Sequence, residues 1–133
     1  MLLADLVHHI KVKNEKILVV DDNADIRCLL AITLGSRYEV ILAEDGKSAL
    51  QAMRDHAPHA VLLDSMMPGE LDGLQVLQAI RSDWQLKNTV VAMITARGQS
   101  ADQMVGLALG ADAYFVKPFS PLKIMTWVQE SLK

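Results

Sequence analysis

The 133-residue chain has one cysteine, Cys28. A single thiol excludes an internal disulfide and suits a reducing compartment. Cys28 lies in a stretch read as helix, where it is expected as a small packing residue rather than a reactive thiol. There is no basic excess. Thirteen Lys and Arg face sixteen Asp and Glu, for a net charge of −3, whereas a dedicated nucleic-acid binder shows a basic footprint. No apolar run is long enough to span a bilayer. The first residues lack the basic start and uninterrupted apolar centre of a secretion signal, so the cytoplasm is the expected location. Internal repeats and low-complexity tracts are absent as well. What is present is 51% hydrophobic and 22% charged, the balance of one globular domain large enough to bury a core.

Four short apolar runs each end in a residue that carries chemistry. Ile17-Leu18-Val19-Val20 ends in Asp21-Asp22, and Ala60-Val61-Leu62-Leu63 ends in Asp64. Val90-Val91-Ala92-Met93-Ile94 ends in Thr95, and Ala113-Tyr114-Phe115-Val116 ends in Lys117, just before Pro118. Runs of this composition read as buried parallel strands. In an open α/β sheet, ligands bind outside the carboxyl ends of the strands. The three carboxylates, the hydroxyl and the ammonium are therefore expected to converge on one crevice.

The full pattern alternates strand and helix five times. Strands are expected near 17–21, 38–43, 60–64, 89–94 and 113–116, and helices near 24–35, 46–56, 73–83, 99–109 and 120–132. Gly35, Gly46, Gly98 and Gly110 mark the joins. Ser120 is a good N-cap, with Pro121 at the first helical position. Such alternation implies right-handed βαβ crossovers and a flavodoxin-like (βα)5 doubly wound parallel sheet, with strand order 2-1-3-4-5. Residues 1–15 are expected to be a leader or linker, or a short amphipathic helix through Leu2, Leu3, Leu6, Val7 and Ile10, ahead of a domain at 16–133. His8 and His9 are adjacent, so on a helix they would not form a chelating pair.

Carboxylates crowded at strand ends repel one another unless a cation is present. Mg²⁺ takes oxygen ligands and keeps several waters, which suits such a site. Asp22 and Asp64 are the expected direct ligands, with Asp21 acting directly or through water. Asp64 can then act as a nucleophile toward phosphorus. Lys117 offers a point charge to phosphoryl oxygens, and the Thr95 hydroxyl offers a hydrogen bond. Taken singly, each residue has an ordinary explanation as a helix cap, a strand end or a solvated charge. Their recurrence at successive strand ends does not.

Four stretches in this order and spacing resemble the CheY-like receiver domain of two-component response regulators. They are residues 17–23 (Ile-Leu-Val-Val-Asp-Asp-Asn), 63–68 (Leu-Asp-Ser-Met-Met-Pro), 94–96 (Ile-Thr-Ala) and 110–119, which ends Val116-Lys117-Pro118-Phe119. The resemblance covers about residues 15–133. It implies that Asp64 is the phosphoacceptor and that Asp21, Asp22, Asp64 and the Met66 main-chain carbonyl hold Mg²⁺ or Mn²⁺. It implies that Lys117, Thr95 and the Ala96 backbone N–H contact the phosphoryl group, and that the Lys117-Pro118 bond is cis. Thr95 and Tyr114 would form the switch that repacks the face of the fourth helix, fifth strand and fifth helix. Such a domain is not a conventional enzyme, although it catalyses its own phosphoryl transfer and slow autodephosphorylation. Its partners would be a histidine kinase or phosphotransfer protein and a downstream protein or effector domain, with no direct nucleic-acid or membrane contact.

Three features depart from the usual pattern or fall outside it. The loop Gly69-Glu70-Leu71-Asp72-Gly73 is one residue longer than the common form and borders the site. Arg97 and Met66 stand two residues past Thr95 and Asp64, where side chains can shield or admit water. Trp127 lies off the apolar stripe of Ile124, Met125, Val128 and Leu132, as a half-buried rim residue or a partner contact. The charged pairs of dimerising winged-helix regulators are not evident on this face. Three other functions compete. A phosphohydrolase of the haloacid dehalogenase type wants an Asp where Met66 stands. A flavodoxin wants a glycine- and hydroxyl-rich loop where Asp21-Asp22 stand. A constitutive docking module would not need the acids and the lysine.

Overall fold

Side chains of successive strand residues point to opposite faces of a sheet, and here that alternation divides the core in two. The computed structural model describes residues 15–96, 105, 107 and 109–133. Its strands are β1 (Lys16–Val20), β2 (Glu39–Ala43), β3 (Ala60–Asp64), β4 (Val90–Ala96) and β5 (Ala113–Lys117). All neighbours pair in parallel, in the order β2-β1-β3-β4-β5. Four helices have both ends among the described residues, α1 (Ala24–Gly35), α2 (Gly46–His56), α3 (Gly73–Ser82) and α4 (Pro121–Ser131). The doubly wound flavodoxin-like arrangement expected from the sequence is therefore the one observed.

Leu18, Val20, Val61, Leu63, Val91 and Met93 face α2 and α3, packing on Ala49, Met53, Val76, Leu77 and Ile80. Ile17, Val19, Ala60, Leu62, Ala92 and Ile94 face α1 and α4, packing on Leu30, Leu34, Ile124 and Val128. Each large side chain removed from water in this way stabilises the fold by about 1.5–3 kcal/mol. Burial on both faces explains why the strands read as unbroken apolar runs.

The helix starts follow from capping chemistry. Asn23 accepts from the N–H groups of Asp25 and Ile26 to open α1. Asp45 with Ser48, and Asp72 with Gln75, form capping boxes at α2 and α3. Ser120 caps α4 with Pro121 in the first turn, as expected. Residue Ala57 ends α2 in the left-handed region, at φ 46°.

Several expectations are corrected in detail. β1 ends at Val20, so Asp21 lies just beyond it, although its N–H still donates to the Ala43 carbonyl. β4 continues to Ala96, which places Thr95 inside the strand. Cys28 is exposed rather than packed, because α1 turns Leu30 and Leu34 inward and Cys28 lies half a turn away. Trp127 is partly buried and meets Phe115 edge-on at 6.1 Å, which is the rim position. Residues 1–14 with His8 and His9, Arg97, Gly98 and most of the expected fourth helix lie outside the described residues; Val105 and Leu107 are helical.

Candidate functional site

The sheet reverses its winding at β1, whose neighbours are β2 on one side and β3 on the other. A crevice therefore opens beyond the carboxyl ends of β1 and β3. Asp21 and Asp22 enter it from the β1–α1 turn and Asp64 from the last position of β3. Parallel register aligns Asp64 with Ile94 and Ala96 with Lys117, so β4 and β5 deliver Thr95 and Lys117 to the same end of the sheet.

Three carboxylates meet there. One oxygen from each of Asp21, Asp22 and Asp64 lies within 4.8 Å of the others. Asp21 is 1% exposed and Asp64 3%, whereas Asp22 is open to solvent. Lys117 reaches in from β5, its Nζ 3.0 Å from Asp21 Oδ2 and 3.5 Å from Asp64 Oδ2. Backbone donors fix both acids, since Asn23 N–H donates to Asp21 Oδ1 at 2.9 Å and Met66 N–H to Asp64 Oδ1 at 3.2 Å. The Lys117-Pro118 bond is cis, as expected.

One ammonium does not neutralise three acids. Burial foremost, and then the charge of Asp21, push the Asp64 carboxyl up to about 7 against the opposing pull of Lys117 and the Met66 N–H. Burial works against the Lys117 ammonium too, but its hydrogen bond to Asp21 and the charges of Asp64 and Asp21 outweigh this and raise it above the ordinary range. The site thus lacks positive charge and offers only oxygen donors, the donor set that Mg²⁺ or Mn²⁺ prefers. Asp21, Asp22 and Asp64 could hold such an ion.

Thr95 is buried at 2%. Among the described residues its hydroxyl reaches only the Ala96 carbonyl, at 3.5 Å, a length at which a hydrogen bond is weak. Tyr114 packs on the α2–α3 side of the core with its hydroxyl buried. Ala96 and Lys117 line a groove with Ile26, Leu29, Pro118 and Phe119. On the other side, Asp22, Met66, Pro68, Gly69, Asp72 and Gln75 line a second cavity.

Sequence reasoning missed three contributors. Asn23, not an acid of the pair, caps α1, and Arg27 Nη1 donates to the Asp21 carbonyl at 2.7 Å, which anchors the turn carrying the acids. Gly73 begins α3 directly against the end of β3. A Cβ there would collide with the Asp64 carbonyl oxygen and stand 2.7 Å from Ser65 Cα. The position of Asn23 just ahead of a helical pattern was a readable signal; the close approach of Gly73 was not.

A family model described as the response regulator receiver domain matches residues 17–129. The chain is 44% identical over 120 residues to a protein named as a transcriptional regulator, ycf27, of Guillardia theta, covering 90% of this chain and 46% of that one. It is 41% identical over 121 residues to the alkaline phosphatase synthesis transcriptional regulatory protein PhoP of Bacillus subtilis, covering 90% and 49%. The chain thus spans about half the length of the curated relatives it matches. Among solved structures, the chemotaxis response regulator CheY4 of Vibrio cholerae superposes with a TM-score of 0.80 at 32% identity, covering 88% of this chain and 98% of that one.

Proposed function

Because the chain belongs to the response regulator receiver family, we propose that it is a phosphorylation-dependent switch whose phosphoacceptor is Asp64. The observation that carries this reading is the placement of Asp64, 3% exposed, at the crevice with Asp21 and Asp22 on one side and the Lys117 ammonium on the other. A nucleophilic carboxylate needs to be fixed, partly desolvated and next to charges that accept a phosphoryl group. All three conditions hold here.

In the proposed reaction an Asp64 oxygen attacks the phosphorus of a phosphohistidine on a histidine kinase or phosphotransfer protein. The P–O bond forms as the P–N bond breaks, and the departing imidazole nitrogen keeps the electron pair and takes up a proton. Lys117 neutralises phosphoryl oxygens and orients them. Ala96 N–H and the Thr95 hydroxyl supply hydrogen bonds to the same oxygens. Asp21, Asp22, Asp64 and the Met66 carbonyl would hold Mg²⁺ or Mn²⁺, which when bound offsets the charge of the acids and of the incoming phosphoryl group. The groove lined by Ile26, Leu29, Pro118 and Phe119 gives the donor protein an apolar footing beside the nucleophile.

Output follows from the buried hydroxyl of Thr95. Among the described residues it makes no short hydrogen bond, so a phosphoryl oxygen on Asp64 would draw it inward. The Tyr114 ring moves into the space released, which shifts the population between two packings of the surrounding face. That face then binds a downstream protein or an effector domain. The net charge of −3 and the acidic rim argue against nucleic-acid contact by this domain itself. No helix among the described residues is long and apolar enough to cross a membrane, and a cytoplasmic location fits the single exposed thiol.

The test is transfer from a phosphohistidine donor to the purified chain with Mg²⁺. Transfer to wild type but not to Asp64→Asn is the expected result. Equal transfer to both, or none to either, would refute it.

A further inference from the structure

We propose that Met66 is an oxidation-sensitive gate on the lifetime of the phosphorylated state, an inference that rests on the assignment of Asp64 as phosphoacceptor. Met66 is 55% exposed and lines a cavity with Asp22, Pro68 and Gly69. Its own N–H donates to Asp64 Oδ1 at 3.2 Å, which fixes the origin of the side chain beside the nucleophile. The neighbouring methionines differ. Met53 and Met93 are 0% exposed and Met67 8%, so among these four the accessible thioether is the one next to the acid cluster.

Exposure decides which methionine meets a hydroperoxide in solution. A sulfur lone pair attacks one oxygen of hydrogen peroxide, the S–O bond forms as the O–O bond breaks, and the departing hydroxide takes up the proton released by the attacked oxygen and leaves as water. The sulfur is oxidised by two electrons and the peroxide is reduced by two. The thioether is a weak acceptor, whereas the sulfoxide is polar and a strong one. Loss of an acyl phosphate to water requires a water held near phosphorus. An apolar side chain at this rim gives that water no partner, and a sulfoxide oxygen gives it one. Oxidation therefore shortens the phosphorylated state, and two-electron reduction of the sulfoxide by a dithiol, which becomes a disulfide as the oxygen leaves as water, restores it.

The experiment uses the Cys28→Ser background, because the Cys28 thiol is also exposed. The protein is treated with graded hydrogen peroxide, the site of oxygen uptake is mapped by peptide mass, and decay of the adduct formed from acetyl phosphate and Mg²⁺ is followed. Met66 should take up oxygen before Met53, Met67 and Met93. Decay should accelerate roughly fivefold, the equivalent of one net hydrogen bond of about 1 kcal/mol. In Met66→Leu the decay rate, whatever its starting value, should not respond to peroxide. Preferential oxidation of a buried methionine, an unchanged decay after complete Met66 oxidation, or an equal response in Met66→Leu would overturn the proposal. Absence of any adduct before oxidation would instead overturn the Asp64 assignment and this inference with it, a result distinct from an adduct that forms and decays alike.

Discussion

The Lys117 ammonium lies 3.0 Å from the buried Asp21 carboxylate, and the same nitrogen stands 3.5 Å from Asp64. One cation is thus shared between an acid assigned to the metal and the acid assigned to the phosphoryl group.

Removing that cation should be costly without metal. Lys117→Ala leaves two buried carboxylates facing each other. The side chain is 25% exposed, so the loss should be about 1–3 kcal/mol rather than the roughly 3–5 kcal/mol of a fully buried broken pair. Urea denaturation in chelator at pH 7 measures it. The variant should still bind Mg²⁺ but fail to change shape on phosphorylation, which intrinsic fluorescence of its tryptophans would report.

The Asp64 carboxyl gives a pH signature with a definite sign. Its folded value, about 7, lies above its ordinary 3.8, so the folded state holds the proton more tightly than the unfolded chain. The stabilisation is complete below about pH 4 and fades as pH rises through 7. Melting temperature in chelator should therefore fall across that window in wild type and fall less in Asp64→Asn. At pH 8, added Mg²⁺ should raise the melting temperature more in wild type than in the variant.

Gly73 tests how tightly α3 must sit against the end of β3. A Cβ at this position collides with backbone, not with a movable side chain. Gly73→Ala should cost about 1–3 kcal/mol and lower the yield of phosphorylated protein by displacing Asp64. Normal yield at wild-type stability would show that the loop has slack.

At Ala57 the backbone favours a substitution. The residue closes α2 with φ 46°, a conformation that disfavours a Cβ and favours glycine. Ala57→Gly should stabilise the domain by roughly 0.5–1 kcal/mol after the entropy of glycine is set against the relief, as read by urea midpoint, with phosphorylation unchanged.

Much of this architecture was legible because parallel strands buried on both faces leave unbroken apolar runs, and each run here stops at a residue unsuited to the core. Asp21, Asp64, Thr95 and Lys117 could each be placed within one residue of a strand end, and the strand order followed from the alternation. What escaped depends on distance through space. Cys28 was misplaced because α1 is apolar on most sides, so its inward face could not be chosen from pattern alone. Arg81 donates to the carbonyls of Lys87, Thr89 and Gly110 and pairs with Asp112 at 2.8 Å, joining α3 to the start of β5. No local signal links residues so far apart in the chain. Gly73 reads as a loop glycine until the Asp64 carbonyl is placed against it.

Phosphorylation at Asp64 is tested most directly by intact mass after incubation with acetyl phosphate and Mg²⁺, with wild type beside Asp64→Asn. One phosphoryl adduct is expected on wild type, absent from the variant and absent when chelator is added first. An adduct of equal yield on Asp64→Asn, or one indifferent to chelator, would contradict it.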